Sequence, residues 1–338
     1  MGGEPYPGRQ FLDPWVLAGL LGAMILALAG CAAGQASEVA NSGPTSGPEQ
    51  SAGASAEATV TVTPPPVTVT ARPSSQQPVK GMNTSSTLLS EESLREFQSR
   101  YGDSASISVA GMDGTSSPTV GDSRAPYAWS TAKILIVAQT LLDSGGPNNL
   151  TEEQRSLISS ALASSDNEAA ATLHRQIEAG HGGLEGAAGA MNQLLRKAGD
   201  ESTSVSTQGR STYSTYGQTL WSSQAQASFM SALMRGCVLD GQSTTFLRDQ
   251  LCNVVPDQRW GLGEVQSPAF KGGWGPDPDG KYLVRQVGVV PAGDGHLYAV
   301  AFTARPEDGS FESGQRLATD IAHWLQQHVS SAPGAQGC

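Results

Sequence analysis

The chain has 338 residues, 38% of them apolar, enough to bury a sizeable core in one large domain or two small ones. Its net charge of −11 and pI near 4.9 argue against a nucleic-acid partner. The five histidines (His174, His181, His296, His323, His328) form no ligand cluster and no G-x-S-x-G elbow is present. Neither a metal or other cofactor nor a Ser-His-Asp hydrolase is therefore expected.

In chain order, Trp15 to Ala29 is an apolar run. It is shorter than the about 20 residues of a membrane-spanning helix and suits a signal-peptide core. It ends in Leu28-Ala29-Gly30-Cys31, which looks like a bacterial lipobox, with Cys31 as the lipidated mature N-terminus. The expectation is a signal segment over 1–31 and a chain lipid-anchored outside the cytoplasm, the alternative being an uncleaved anchor or a plain signal peptide. Residues 32–85 are rich in Ser, Thr, Pro, Gly and Ala and read as a disordered linker that cannot bury enough apolar surface to fold. Its Pro64-Pro65-Pro66 tract argues against a strand.

A folded domain is expected over 86–330, with a flexible tail at 331–338. Ser90 to Tyr101 reads as a helix with Leu94 and Phe97 on one face. Ser106 to Ala110 alternates and precedes Asp113-Gly114, a hairpin signal, with a second strand near Thr119. Ser130 to Leu142 is nearly all apolar, the pattern of a buried helix. Thr151 to Gln154 is a capping box for the next helix, and Glu168 opens another. A further helix over 185–198 stops at Gly199. Tyr282 to Val290 and His296 to Ala304 read as joined strands. Leu317, Ile321, Trp324 and Leu325 mark a C-terminal amphipathic helix.

Three short motifs lie along this domain: Ser130-Thr131-Ala132-Lys133 (S-x-x-K), Ser165-Asp166-Asn167 (S-D-N) and Lys271-Gly272-Gly273, where K-T-G would stand. Each has a bland alternative: a helix cap at Ser130, an ordinary loop at Ser165 to Asn167, a loop apex at Lys271. Together they resemble the penicillin-recognising serine hydrolases, the superfamily of class A β-lactamases and D,D-peptidases. The resemblance implies an α+β, β-lactamase/transpeptidase-like fold. An antiparallel sheet is flanked by N- and C-terminal helices, and the all-helical lobe is reduced because only 35 positions separate Ser130 from Ser165 (165 − 130). It implies Ser130 as nucleophile, Lys133 as base, Ser165 as proton shuttle and Lys271 as electrostatic anchor. Asn167, Gly273 and Trp274 would bind substrate, the last through an oxyanion-hole N–H. Asp166 would tie its loop together. In a dry cleft near a second cation, Lys271, the Lys133 amine would be depressed, and the neutral amine could take the serine proton. The partner would be a β-lactam or a peptidoglycan stem peptide, the enzyme a monomer. A D,D-carboxypeptidase and a catalytically weak binding lipoprotein are the alternatives.

Two departures stand against the family pattern. Gly272 removes the hydroxyl that would hold a substrate carboxylate, and no E-x-x-x-N loop supplies a deacylating carboxylate. Glu201 lies at a suggestive distance but in polar loop surroundings. Among the cysteines, Cys237 and Cys252 are close in sequence and expected outside the cytoplasm, which predicts a disulfide between them and leaves Cys338 over.

Overall fold

The computed structural model describes residues 88–336 and 338. The signal segment, Cys31 and the linker lie outside the described residues. Among the described residues no helix is long and apolar enough to cross a membrane.

Helix α1 (Glu91–Tyr101) starts at Ser90, whose hydroxyl accepts a hydrogen bond from the Ser93 N–H at 3.0 Å, with Glu91 and Glu92 at its positive end. It buries Phe97 and Tyr101. Strands β1 (Ala105–Gly111) and β2 (Val120–Gly121) follow, then a 3₁₀ turn over Trp129–Ala132 that runs into α2 (Lys133–Asp143). Nearly all of α2 is buried, as its unbroken apolar sequence requires. Helix α3 (Glu152–Ala163) opens on the reciprocal Thr151–Gln154 capping box. Helix α4 (Asn167–His181) is capped by Asp166, and α5 spans Leu184–Lys197. Then come α6 (Ser223–Met234) and α7 (Gly241–Cys252), strands β3 (Ala269–Pro276), β4 (Tyr282–Pro291) and β5 (Leu297–Ala304), and α8 (Phe311–His328).

The strands form one antiparallel sheet in the order β2-β1-β5-β4-β3. Strand alternation splits its side chains between two cores. Ile107, Val109, Val284, Val300 and Phe302 pack with Phe97 of α1 and Ile321 and Trp324 of α8. Ala110, Val287, Val289, Ala299 and Ala301 face the other way, into the core shared by α2 to α7. The fold is the α+β arrangement expected, and its consequence for the site is simple. Strand β3 is an edge strand, so its side runs free along the helical lobe.

The cysteine pairing differs from the expectation. Cys237 is bonded to Cys338, with Cα atoms 5.5 Å apart, not to Cys252. Helix α7 lies between Cys237 and Cys252, and its 12 residues make a rod of about 18 Å that works against their meeting. Cys338 instead arrives on a fastened tail. Ala332 N–H donates to Asp294 Oδ2 at 3.1 Å, Gln336 N–H to Met112 O at 2.8 Å, and Arg235 Nε to Gln336 O at 3.1 Å. The segment read as flexible from its Ser, Gly and Ala content is thus tied down by partners distant in sequence.

Candidate active site

The 3₁₀ turn places Ser130 two residues before the cap of α2, Ala132, since that helix begins only at Lys133. Trp129, just before it, has a left-handed backbone (φ 49°), a conformation that costs a non-glycine residue about 1–3 kcal/mol and needs outside support. Two supports are visible. Thr131 donates to Ala128 O through both its N–H (3.1 Å) and its hydroxyl (2.5 Å). The Trp129 ring lies over Gly275 of β3, so close that a β-carbon there would come within 2.4 Å of it. The turn is pressed equally hard against Gly273, where a β-carbon would stand 2.9 Å from Ser130 N and 3.0 Å from Thr131 N. Glycine at 273 and 275 is what lets the edge strand meet the turn.

Behind the turn is a buried cation. Arg285 of β4, opposite Gly273 in register, donates to Tyr127 O and Trp221 O at 3.0 Å and to Gln226 Oε1 at 2.5 Å. Gln226 in turn donates to the Thr131 hydroxyl at 2.8 Å. Burial brings the Arg285 guanidinium down to about 9. Arg285 thereby ties the segments of Tyr127, Trp221 and Gln226 together, and Gln226 links them to Thr131, the residue that follows Ser130.

Ser165 also has a left-handed backbone (φ 60°). Lys133 holds it there: its Nζ donates to Ser165 O at 2.5 Å and to Asn167 Oδ1 at 2.8 Å, with Ser165 Oγ at 3.4 Å. Lys271 comes from the opposite side, its Nζ donating to Ser165 Oγ at 2.9 Å and to Gly272 O at 2.8 Å. Asp166 accepts from the Ala169 N–H at 2.9 Å and so caps α4, as its loop-tying role required. The two lysines are both 1% exposed. Burial lowers Lys133 to about 8 against a smaller raising effect of Asp166. Burial, then the charge of Lys133, pushes Lys271 well below its ordinary range. Desolvation comes first for both amines, and the repulsion between the two cations adds to it at Lys271.

Ser130, Lys133, Ser165, Asn167 and Trp274 line one cleft of about 430 Å³, with Lys271 and Gly273 just behind its β3 wall. Ser130 Oγ makes no hydrogen bond to another described residue and is free to act on a bound molecule. Sequence reasoning missed the opposite wall, Thr212, Tyr213, Ser214 and Tyr216, from the irregular segment after α5. That segment is fixed by Arg210, whose guanidinium lies 5.1–5.5 Å from the rings of Tyr127, Trp129 and Tyr213 and donates to Pro276 O at 2.5 Å. Clustered Tyr and Trp around one Arg was the available signal. Glu201 is exposed and reaches toward Arg196 at 3.5 Å, away from the cleft. Glu168, read only as a helix opener, is the one carboxylate among the lining residues. Among the described residues no group of His, Cys, Asp and Glu is arranged to hold a metal.

The architecture is that of the class A β-lactamases. An extended-spectrum β-lactamase, TLA-3, superposes with a TM-score of 0.56 at 14% identity, over 71% of this chain and 98% of that one. The chromosome-encoded β-lactamase of Vibrio parahaemolyticus gives 0.54 at 18% identity, over 71% and 99%. A class A β-lactamase from Bacteroides cellulosilyticus gives 0.56 at 11% identity, over 71% and 96%. No curated protein matches the sequence. The model of the beta-lactamase enzyme family matches residues 144–329, more than half of the chain, and this protein belongs to that family. The match takes in Ser165, Asn167 and Lys271 and starts after Ser130 and Lys133.

Proposed function

We propose that the protein is a serine acyl-enzyme of β-lactamase type, acting outside the cytoplasm on β-lactams or D-Ala-D-Ala-like acyl donors, and anchored by a lipid on Cys31. The observation that carries this reading is the convergence of Lys133 and Lys271 on Ser165, at 3.4 and 2.9 Å, in the cleft that Ser130 lines. Lys133, at about 8, is partly neutral near pH 7 and accepts the Ser130 hydroxyl proton. Ser130 Oγ forms a bond to the acyl carbon, the bond from that carbon to the leaving nitrogen or oxygen breaks, and the proton passes through Ser165 Oγ to the leaving atom. The N–H groups of Ser130 and Trp274 are the oxyanion donors in this scheme. Asn167 holds the acyl side and the Lys133 amine together, and Lys271 orients Ser165 by donating to its Oγ at 2.9 Å.

A second reading, a binding protein with weak catalysis, is favoured by one observation. Gly272 brings no hydroxyl to the cleft, and the wall from Thr212 to Tyr216 brings no carboxylate. Acyl labelling decides. Wild-type protein treated with a fluorescent penicillin should gain one acyl group on Ser130, absent from Ser130→Ala, while Lys133→Ala should acylate about 10²–10⁴-fold more slowly. No adduct in folded protein at any concentration would leave the binding reading standing.

A further inference from the structure

One charge in the cleft is without a partner. Helix α4 turns Glu168 and Ala171, three positions apart on one face, toward the space that Ser130 lines. Among the described residues no ion pair reaches the exposed Glu168 carboxylate. Every charged group near it is engaged elsewhere. Asp166 caps α4 through the Ala169 N–H, and Glu178 holds His174 Nδ1 at 2.8 Å. The Lys133 amine bonds Ser165 and Asn167, and the Lys271 amine is buried on Ser165 and the Gly272 carbonyl. Arg175, farther along α4, donates to the Thr172 hydroxyl at 2.8 Å and does not line the cleft. Arg210 bonds Gln218 and Pro276.

The wall opposite α4 adds rings rather than charge. Burial pushes the Tyr216 phenol up, and the negative charge of Glu168, felt across the cleft, adds to the rise. Tyr216 therefore stays neutral. Trp129, Tyr213 and Trp274 line the same space, and aromatic faces attract cations. Two of these rings already do so, since the Arg210 guanidinium lies 5.1–5.5 Å from Trp129 and Tyr213. An ammonium group in the cleft would gain an unpaired carboxylate and ring faces together. A neutral group would gain only the rings, and an anion would be repelled by Glu168. Glu168 directly follows Asn167, so the part of a donor within its reach is the acyl side that Asn167 holds. The positive end of α4 also suits a carboxylate at this position. That purely structural role has a different signature: it would affect stability and leave substrate preference alone.

We propose that the cleft selects acyl donors that carry a positive charge, an ammonium group above all, on the acyl side, with Glu168 as the specificity-determining residue. This rests on the acyl-enzyme reading and narrows its substrates: cationic acyl groups are favoured, neutral ones follow, and anionic ones are the poor donors.

The test compares second-order acylation of Ser130, followed by intact mass, by three penicillins that differ only at the α-carbon of the acyl group. Benzylpenicillin bears hydrogen there, aminobenzylpenicillin an ammonium and carboxybenzylpenicillin a carboxylate. At about pH 6, where an α-amine is charged, the amino form should react about three- to tenfold faster than benzylpenicillin, and the carboxy form more slowly than either. The preference for the amino form over benzylpenicillin should shrink toward one at about pH 9.5, where the α-amine has lost its proton. Titration of Lys133 affects all three donors alike and cancels in the ratios. In Glu168→Gln, nearly the same in shape, the ratios should collapse toward one, and in Glu168→Lys the order should reverse. Equal rates for the three donors with wild-type protein, or a preference that survives in Glu168→Gln, would overturn the selectivity while leaving Ser130 acylation intact. Reaction with none of the three, in folded protein, would overturn the acyl-enzyme reading and this inference with it.

Discussion

Replacing Lys133 by Met separates the charge of this residue from its place in the packing. The amine is 1% exposed and brought from 10.5 to about 8, so the folded state resists its protonation. The sign follows from proton counting. Below pH 8 both folded and unfolded chains hold the proton, and the folded state bears the full cost. Between about 8 and 10.5 the unfolded chain still holds it while the folded chain has released it, so stability rises with pH. Taking about 1.4 kcal/mol per pKa unit, the wild type should gain about 2–3 kcal/mol from this group between pH 7 and pH 10. Met cannot titrate and gains nothing. Loss of the bonds to Ser165 O and Asn167 is nearly independent of pH and cancels when the two pH values are compared. Removing the Lys133 charge also relieves Lys271, which enlarges the difference. Urea denaturation of both proteins at the two pH values, followed by tryptophan fluorescence, measures it. In the same wild-type protein the acylation rate should climb through about pH 8. A stability difference between wild type and Lys133→Met that stays constant from pH 7 to 10 would refute the depressed amine, and with it Lys133 as the base.

Other outcomes follow from the same structure. Gly273→Ala forces a β-carbon into the backbone of Ser130 and Thr131 at 2.9 and 3.0 Å, which should destabilise the protein by about 1–3 kcal/mol and lower acylation further than stability alone explains. Unchanged acylation would mean that the turn moves freely away from β3. Non-reducing peptide mapping should recover Cys237 joined to Cys338, and Cys338→Ser should cost about 2–4 kcal/mol, since the bond closes a separation of 101 residues. Recovery of Cys237 with Cys252 would restore the pairing that sequence proximity favoured. Cys31→Ala should move the protein from the membrane to the soluble fraction. Failure of labelled fatty acid to enter the wild type would exclude lipidation there.

Much of this was legible because local patterns agreed with the fold. Ser90, the Thr151–Gln154 box and the apolar run after Lys133 each mark an element found where expected. The motifs brought Ser130, Lys133, Ser165 and Asn167 to one cleft because their spacing is set by α2 and α4. What stayed hidden depends on approach rather than pattern. Helix α6 lacks a strong apolar stripe, and its place against β5 and β1 comes from small residues such as Ala227 and Ser231. Gly272 and Gly273 look like a loop apex in sequence, yet with Gly275 they form the strand interior, and Gly273 and Gly275 are bare because Ser130 and Trp129 occupy the space of their side chains. The left-handed turns at Trp129 and Ser165 have no sequence signature either. They are held by tertiary partners, which local propensity does not encode. The disulfide failed for the same reason, since a tail of small residues gave no sign that Asp294, Met112 and Arg235 would guide it to Cys237.

The central claim is that Ser130 is the acyl-accepting nucleophile. The most direct measurement is an intact-mass time course of the soluble domain with a penicillin and with a neutral aryl ester, the modified residue located by peptide sequencing. The account predicts one acyl group on Ser130, formed in a burst of one equivalent and then lost slowly, because the wall from Thr212 to Tyr216 brings no carboxylate to activate water. Fast release with no detectable adduct would contradict the slow-turnover part and make Glu168, in the cleft, the first candidate base. An adduct on any other residue, or the same adduct in Ser130→Ala, would contradict the claim itself.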